Sequence, residues 1–291
     1  MATNRIKDPV TDTETTGHEW DGIRELDNPA PKWLMYTFYA TIIWAIGYWV
    51  LYPAWPNLMG GGYTKGVLGY VQREEIKEQI AAKRADQAVM HDRIASASLQ
   101  EIRGDADLLS FALAGGRVAF ADNCAGCHGA GGSGNTGFPV LVDDEWLWGG
   151  ALEDIQYTIL HGIRNSSADA RYSEMPRFGR DGILNREEIN DVAEYVLSLS
   201  GHATEKAAAG RGEEIFVAQC AACHGEKGEG MRELGAPNLA DDIWLYGGSK
   251  AKVVESITNA RFGVMPGWAG RLDDSTIKQL TVYVHALGGG E

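Results

Sequence analysis

Polar residues dominate positions 1–32, where Pro9, Gly17, Gly22, Pro29 and Pro31 interrupt any apolar period, so this stretch predicts a mostly irregular tail. The pattern then reverses. No Asp, Glu, Lys, Arg or His occurs from Trp33 to Thr64, and Trp33–Trp55 is almost wholly apolar. At about 1.5 Å per residue, a helix over 33–55 spans roughly 35 Å, enough to cross a hydrocarbon core of about 30 Å. Trp33, Tyr36 and Tyr39 at one end and Tyr48, Trp49, Tyr52 and Trp55 at the other form the aromatic belts of a transmembrane helix. A cleaved leader is the rival reading. The long, net acidic segment ahead of the apolar run and the lack of a small-x-small site after it favour a retained anchor. Arg5, Lys7, Arg24 and Lys32 precede the span, against Lys65 and Arg73 after it. That bias predicts a cytoplasmic N-terminus, with everything beyond the span on the outer side.

Positions 56–110 read as a helical connector. Gly60-Gly61-Gly62 ends the anchor, and Tyr70–Arg103 carries an imperfect apolar stripe through Val71, Ile76, Ile80, Val89, Ile94, Leu99 and Ile102. His91 is expected at the surface. From about 111 the chain repeats itself. Gly116–Phe120 matches Gly212–Phe216, Pro139–Gly150 matches Pro237–Gly248, and Met175-Pro176 matches Met265-Pro266. The offsets of 96, 98 and 90 imply an eight-residue insertion in the first copy around Asn165–Tyr172. Each copy closes with a predicted helix, Arg186–Ser200 and Ser275–Leu287, the first opened by an Asn185/Glu188 capping pair and ended by Gly201. The repeats define domains over 111–201 and 211–291, joined by the alanine-rich linker 202–210.

The chemistry sits in the only four cysteines, arranged as Cys124-Ala-Gly-Cys127-His128 and Cys220-Ala-Ala-Cys223-His224. A C-x-x-C-H run is the attachment signature of c-type haem: each thiol adds to a vinyl group, and the adjacent histidine ligates iron from one face. A redox dithiol expects a βαβ context and a zinc site expects four converging ligands, and neither context is present. The sequence therefore predicts two covalent haem c groups on a mainly α chain: one N-terminal transmembrane helix followed by two tandem class I cytochrome c domains. Units this small have thin cores, which a covalently fixed haem supplements.

Each iron needs a sixth ligand. Met175 is the only methionine in 111–201, and Pro176 after it biases the backbone toward an extended loop. Met265-Pro266 occupies the matching place in the second copy, whereas Met231 lies only seven residues past His224. Met175 is thus expected on the first haem and Met265 on the second, with His161, whose repeat counterpart is Asn259, as the alternative to Met175. His18, His202 and His285 have no supporting context. Trp146, Trp148, Trp244 and Tyr246 are candidates for a haem edge or equally for core, and Arg164, Arg177 and Arg261 for propionate pairing.

Net charge is −14, and the 111–201 segment is the most acidic, with 6 basic against 13 acidic residues. That balance excludes nucleic acid as a partner and suits a basic donor protein.

One anchor followed by two His/Met C-x-x-C-H domains resembles the CcoP (FixP) subunit family of cbb3-type cytochrome c oxidase. Glu25-Leu-Asp-Asn-Pro-Ala-Pro-Lys-Trp33 and Trp44-Ala-Ile-Gly-Tyr-Trp-Val-Leu-Tyr-Pro53 are similar to that family's approach to its membrane helix. Ser173-Glu-Met-Pro176 and Gly263-Val-Met-Pro266 are similar to its ligand loops. The resemblance implies a single-pass protein of the bacterial inner membrane with periplasmic haem domains. It further implies transfer of electrons from a donor cytochrome c toward a monohaem cytochrome c subunit and a haem-copper catalytic subunit, where dioxygen is reduced and protons are moved. Some members have two membrane helices; this chain has one. A membrane-tethered dihaem shuttle and a dihaem peroxidase are the other readings, the latter disfavoured by methionine closure of both irons. Electrons are expected to enter at the second haem and leave by the first.

Overall fold

A computed structural model describes residues 5–57 and 60–291. The first four residues of the expected tail, and Leu58 and Met59 of the expected connector, lie outside the described residues. The chain divides after Arg84 into two compact units.

In the first unit the expected irregular tail contains a hairpin. Strands β1 (Thr15–Trp20) and β2 (Ile23–Leu26) pair antiparallel, with Trp20 opposite Ile23 and Glu19 opposite Arg24. The two-residue turn is Asp21-Gly22, both at positive φ (49° and 83°), the backbone that a tight hairpin requires and that Asp-Gly supplies readily. Arg24 Nε bonds Glu19 Oε2 at 2.7 Å across the strands. Turn chemistry, not apolar alternation, carried this element in the sequence.

Helix α1 (Lys32–Leu51) is the apolar segment. It has 20 residues and a mean hydropathy of 1.4, is long and apolar enough to cross a membrane, and has no side chain buried within the chain. It ends at Leu51 rather than at 55 because Pro53 drives the preceding Tyr52 into an extended conformation (φ −116°, ψ 160°). Helix α2 (Gln72–Ser96) follows. The expected continuous helix over 70–103 is broken at Ala97, where Ser98 opens α3 (Leu99–Gly104) with a full capping box: Ser98 Oγ accepts from Glu101 N, and the Glu101 carboxylate accepts from Ser98 N.

The second unit, from Ala85, holds both C-x-x-C-H motifs. Asp105 caps α4 (Ala106–Asn123), which runs into the one-turn α5 (Ala125–His128) of the first motif; α6 (Leu152–His161) and α7 (Arg186–Leu199) complete the first repeat. The second repeat gives α8 (Lys206–Gln219), α9 (Ala221–His224), α10 (Lys250–Asn259) and α11 (Asp274–His285).

Packing does not follow the repeat boundary. α4 packs on α11 and α8 packs on α7, so the helix that closes each repeat lies on the opening helix of the other. α6 joins the α4/α11 pair and α10 joins the α7/α8 pair. One core therefore unites Phe120, Ile155 and Ile159 with Ile277, Leu280 and Val284. The other unites Phe178, Val192 and Val196 with Phe216, Val253 and Ile257. The connection from α7 to α8 is short, which makes them antiparallel neighbours. Its closure is held by Glu194, fully buried, whose carboxylate accepts hydrogen bonds from Thr204 N, Thr204 Oγ1 and Glu205 N and an ion pair from Lys250. Arg211 on α8 adds a two-pronged bond to Asp191 on α7, at 2.7 and 2.6 Å.

The end of α2 and all of α3 dock on the α4/α11 pair through Ile94, Leu99 and Ile102, which bury against Leu108, Ala112 and Val282. His91, expected at the surface, is half-buried: its Nδ1 lies 2.7 Å from Ser275 Oγ and its ring meets Phe111 edge-on. Lys278 donates to the carbonyls of Ala95 and Ala97, which closes the end of α2.

Candidate haem sites

Both motifs fold identically. The first cysteine ends a helix, and its carbonyl accepts from the second cysteine and the histidine: Cys127 N and His128 N reach Cys124 O at 3.1 and 3.0 Å, and Cys223 N and His224 N reach Cys220 O at 3.1 and 3.0 Å. At the second motif that single turn brings both thiols and the imidazole to one cavity. Gly129 and Gly225 then reverse the chain at φ 77° and 79°, a left-handed backbone that favours glycine.

The histidines are oriented by the backbone. His128 Nδ1 lies 3.2 Å from Pro139 O, and His224 Nδ1 lies 3.0 Å from Pro237 O. A carbonyl only accepts, so Nδ1 carries the proton and Nε2 keeps its lone pair for a metal. Burial pushes both imidazoles below their ordinary pKa, while the carbonyl bond acts the other way. Pro139 and Pro237 head the repeated segment after each motif, and this equivalence was the one sequence signal for their role. Burial, helped by the neighbouring cysteine, pushes the Cys124 and Cys220 thiols up to about 11. A reactive or metal-binding thiol requires the opposite shift. Among the described residues no three His, Cys, Asp or Glu side chains converge on a metal position, so a zinc site has no support.

A cavity of about 660 Å³ opens at the second motif, within the roughly 300–1,000 Å³ of cofactor sites. Cys220, Cys223 and His224 line one part of it, and Met175, Phe178 and Trp244 line others. The methionine that reaches this cavity thus comes from the first repeat. Met265 goes the other way. Its backbone pairs in both directions with Ile163, at 2.9 and 3.0 Å, and Trp268 N in the same loop donates to Ile159 O and Leu160 O at the end of α6. Of the two expected ligands, Met175 and not Met265 thus lines the cavity at the second motif. Exchange of the closing helices carries the loops across with them.

The other sequence candidates divide. His161 is half-buried, its ring tilted against Tyr157 with 4.5 Å between centroids and its Nδ1 3.9 Å from Asp169, and it does not line the cavity. Trp244 and Tyr246 border the cavity, with the Arg261 guanidinium 4.5 Å over Tyr246. Trp146 packs in the α4/α11 core and donates to Gly289 O. Gly150 and Gly248 are glycines because a Cβ at either would meet the indole of Trp146 or Trp244 within 2.6 Å. Among the described residues, Trp148 Nε1 and Arg171 Nε are buried donors without a protein partner, with Arg171 over the Trp148 ring at 5.4 Å. Arg177 pairs with Asp181 at the surface, away from the cavity. Arg164 and Arg261 both line it. Apolar walls, two thiols, an imidazole with Nε2 available and a soft thioether fit a covalently bound haem c.

Comparison with known proteins accords with this geometry. Residues 12–59 match the N-terminal domain of cytochrome oxidase-cbb3, FixP; residues 113–200 match cytochrome c; residues 207–284 match cytochrome c oxidase, cbb3-type, subunit III. A cbb3-type cytochrome c oxidase subunit CcoP of Azospirillum brasilense is 55% identical over 292 residues, covering 98% of this chain and 98% of its own. A subunit FixP of Azorhizobium caulinodans is 56% identical over 278 residues, covering 95% and 94%. A subunit CcoP of Cereibacter sphaeroides is 50% identical over 292 residues, covering 100% of both chains. The two cytochrome c segments account for two haem c groups, one per C-x-x-C-H motif.

Proposed function

Because this chain belongs to the CcoP/FixP family of cbb3-type cytochrome c oxidase subunits, we propose that it carries electrons from a donor cytochrome c toward the monohaem and haem-copper catalytic subunits of such an oxidase, and itself reduces no dioxygen. The observation that carries this reading is the imidazole of each motif held by a proline carbonyl, together with the cavity at the second motif, lined by two thiols, His224 and the Met175-Pro176 loop. Such closure suits electron transfer, which needs no open iron position.

We infer that His224 and Met175 would hold one haem iron, and His128 and Met265 the other. The shared cavity supports the first pair, and the docking of the Met265 loop on α6 supports the second. Haem c supplies a one-electron iron couple when bound. Nε2 of each histidine and a methionine thioether would hold the iron, and the thioether would favour its ferrous form and so a higher potential. Trp244, Phe178 and Ile257 would give the second haem apolar walls.

Helix α1 anchors the chain in the bacterial inner membrane as a single pass, with the N-terminus cytoplasmic and the haem segments periplasmic, as the basic residues before the span favour. Residues 85–104, which follow the anchor in the chain, dock on the body that holds the first motif. That contiguity favours exit of electrons at His128 and arrival at His224. Mild-detergent purification tests the assignment: haem b and copper should copurify with this chain. A dihaem cytochrome recovered free of both would instead identify an independent shuttle.

A further inference from the structure

Arg164 stands where the two ligand loops meet. Its Nε donates to Gly263 O at 2.8 Å and its Nη1 donates to Ser173 O at 3.0 Å. Ser173 and Gly263 are equivalent positions, each two residues before the methionine of its own loop. The guanidinium also lies 5.6 Å from the ring centroid of Phe262, the residue that the repeat places opposite Arg164 itself. The side chain is half-buried and its backbone sits at φ 51°, a strained conformation for a residue other than glycine. On either side the backbone is held: Ile163 is bonded in both directions to Met265, and Arg164 N donates to Arg171 O. One rigid fork therefore reaches matching carbonyls in two loops that are 90 residues apart in sequence.

We propose that Arg164 is a positioning residue that clamps both methionine loops at once, so that the sixth ligand of either haem is held by a contact shared with the other. The proposal rests on the axial assignment above. Arginine suits the role because its N–H groups lie in one plane and point apart, whereas a lysine ammonium carries the same charge without the fork. Loss of the clamp frees two loops together, and each iron then exchanges its thioether for an external ligand more readily.

The test uses the purified oxidase with both haems attached, in three forms: unaltered, Arg164→Leu and Arg164→Lys. The measurements are the sulfur-to-iron charge-transfer absorption, the two haem potentials and the binding of imidazole to the ferric protein. In both variants imidazole should bind about tenfold more tightly at both haems, the change expected when a hydrogen bond to a charged group is lost from each loop. Both potentials should fall together, with haem content unchanged. An effect confined to one haem, or to neither, overturns the proposal. So does an Arg164→Lys protein that behaves like the unaltered one, because charge alone would then account for the residue. Should Arg164→Leu fail to assemble, Arg164→Lys decides by the same criteria. Failure of the axial assignment shows itself separately: in a protein whose only haem is at Cys124 and Cys127, the charge-transfer band would then be lost on Met175→Ala and kept on Met265→Ala.

Discussion

Phe216 packs against Tyr195 with 5.1 Å between ring centroids, and it does so across the link between the two repeats, because Tyr195 closes the first repeat and Phe216 opens the second. Phe120 and Tyr283 make the reciprocal contact at 5.5 Å between the opening of the first repeat and the closing of the second. Each haem body is built from both halves of the sequence.

At these crossings the helices touch through glycine. A Cβ on Gly212 would lie 2.1 Å from Asp191 O, and one on Gly116 would lie 2.4 Å from Gln279 O. Gly212→Ala should cost about 2–3 kcal/mol by overpacking. The loss should disturb the haem attached at Cys220 together with the Met175 loop, leaving the His128 site unchanged. Thermal melting, with the absorption of each haem followed separately, checks this. Equal disturbance of both sites would argue against two separate composite bodies.

The linker gives a pH dependence with a definite sign. Burial raises the pKa of Glu194, but the bonds from Lys250, Glu205 and Thr204 outweigh it and hold the carboxyl down at about 2. A depressed carboxyl contributes stability above its unfolded pKa and loses it as pH falls toward the folded value. The haem body with α7 and α8 should therefore weaken from about pH 5 down to pH 2. Glu194→Gln should melt lower at neutral pH by about 2–3 kcal/mol and lack that part of the acid slope. Melting curves of both proteins across this range are the check; parallel acid slopes would contradict the role given to Glu194.

Much of this was legible in the sequence. The cysteine motifs, the anchor, the capped α7 and the two Met-Pro loops each carry a local signature. The Asp21-Gly22 hairpin and the Ser98/Glu101 cap are equally local, but turn and cap residues mark them, not an apolar period. The helix exchange was of another kind. Gly116 and Gly212, Phe120 and Phe216, and Tyr195 and Tyr283 occupy equivalent positions, so either closing helix offers the same surface to either opening helix. Local pattern has no means of choosing between partners that present the same groups. The choice depends on the short connection between α7 and α8 and on the Glu194 and Arg211 bonds made across it. Arg164 was a candidate for propionate pairing in the sequence, but its two acceptors are backbone carbonyls of loops from different repeats, brought together only by the fold.

Electron arrival should depend on salt. The chain carries a net charge of −14, so a basic donor would be drawn to it, and screening would shorten that reach to about 8 Å at physiological ionic strength. Stopped-flow reduction of the purified complex should slow steadily as salt is raised, with the His224 haem reduced before the His128 haem. A rate that does not respond to salt, or the reverse order, would count against both the donor and the direction.

The exchanged axial assignment is tested most directly by removing one haem at a time. In a protein carrying Cys220→Ala and Cys223→Ala, only the haem at Cys124 and Cys127 remains. Met265→Ala should then abolish its sulfur-to-iron charge-transfer band and lower its potential, while Met175→Ala should leave both unchanged. Loss of the band on Met175→Ala, with Met265→Ala silent, would show that each haem takes the methionine of its own repeat and would contradict the exchange.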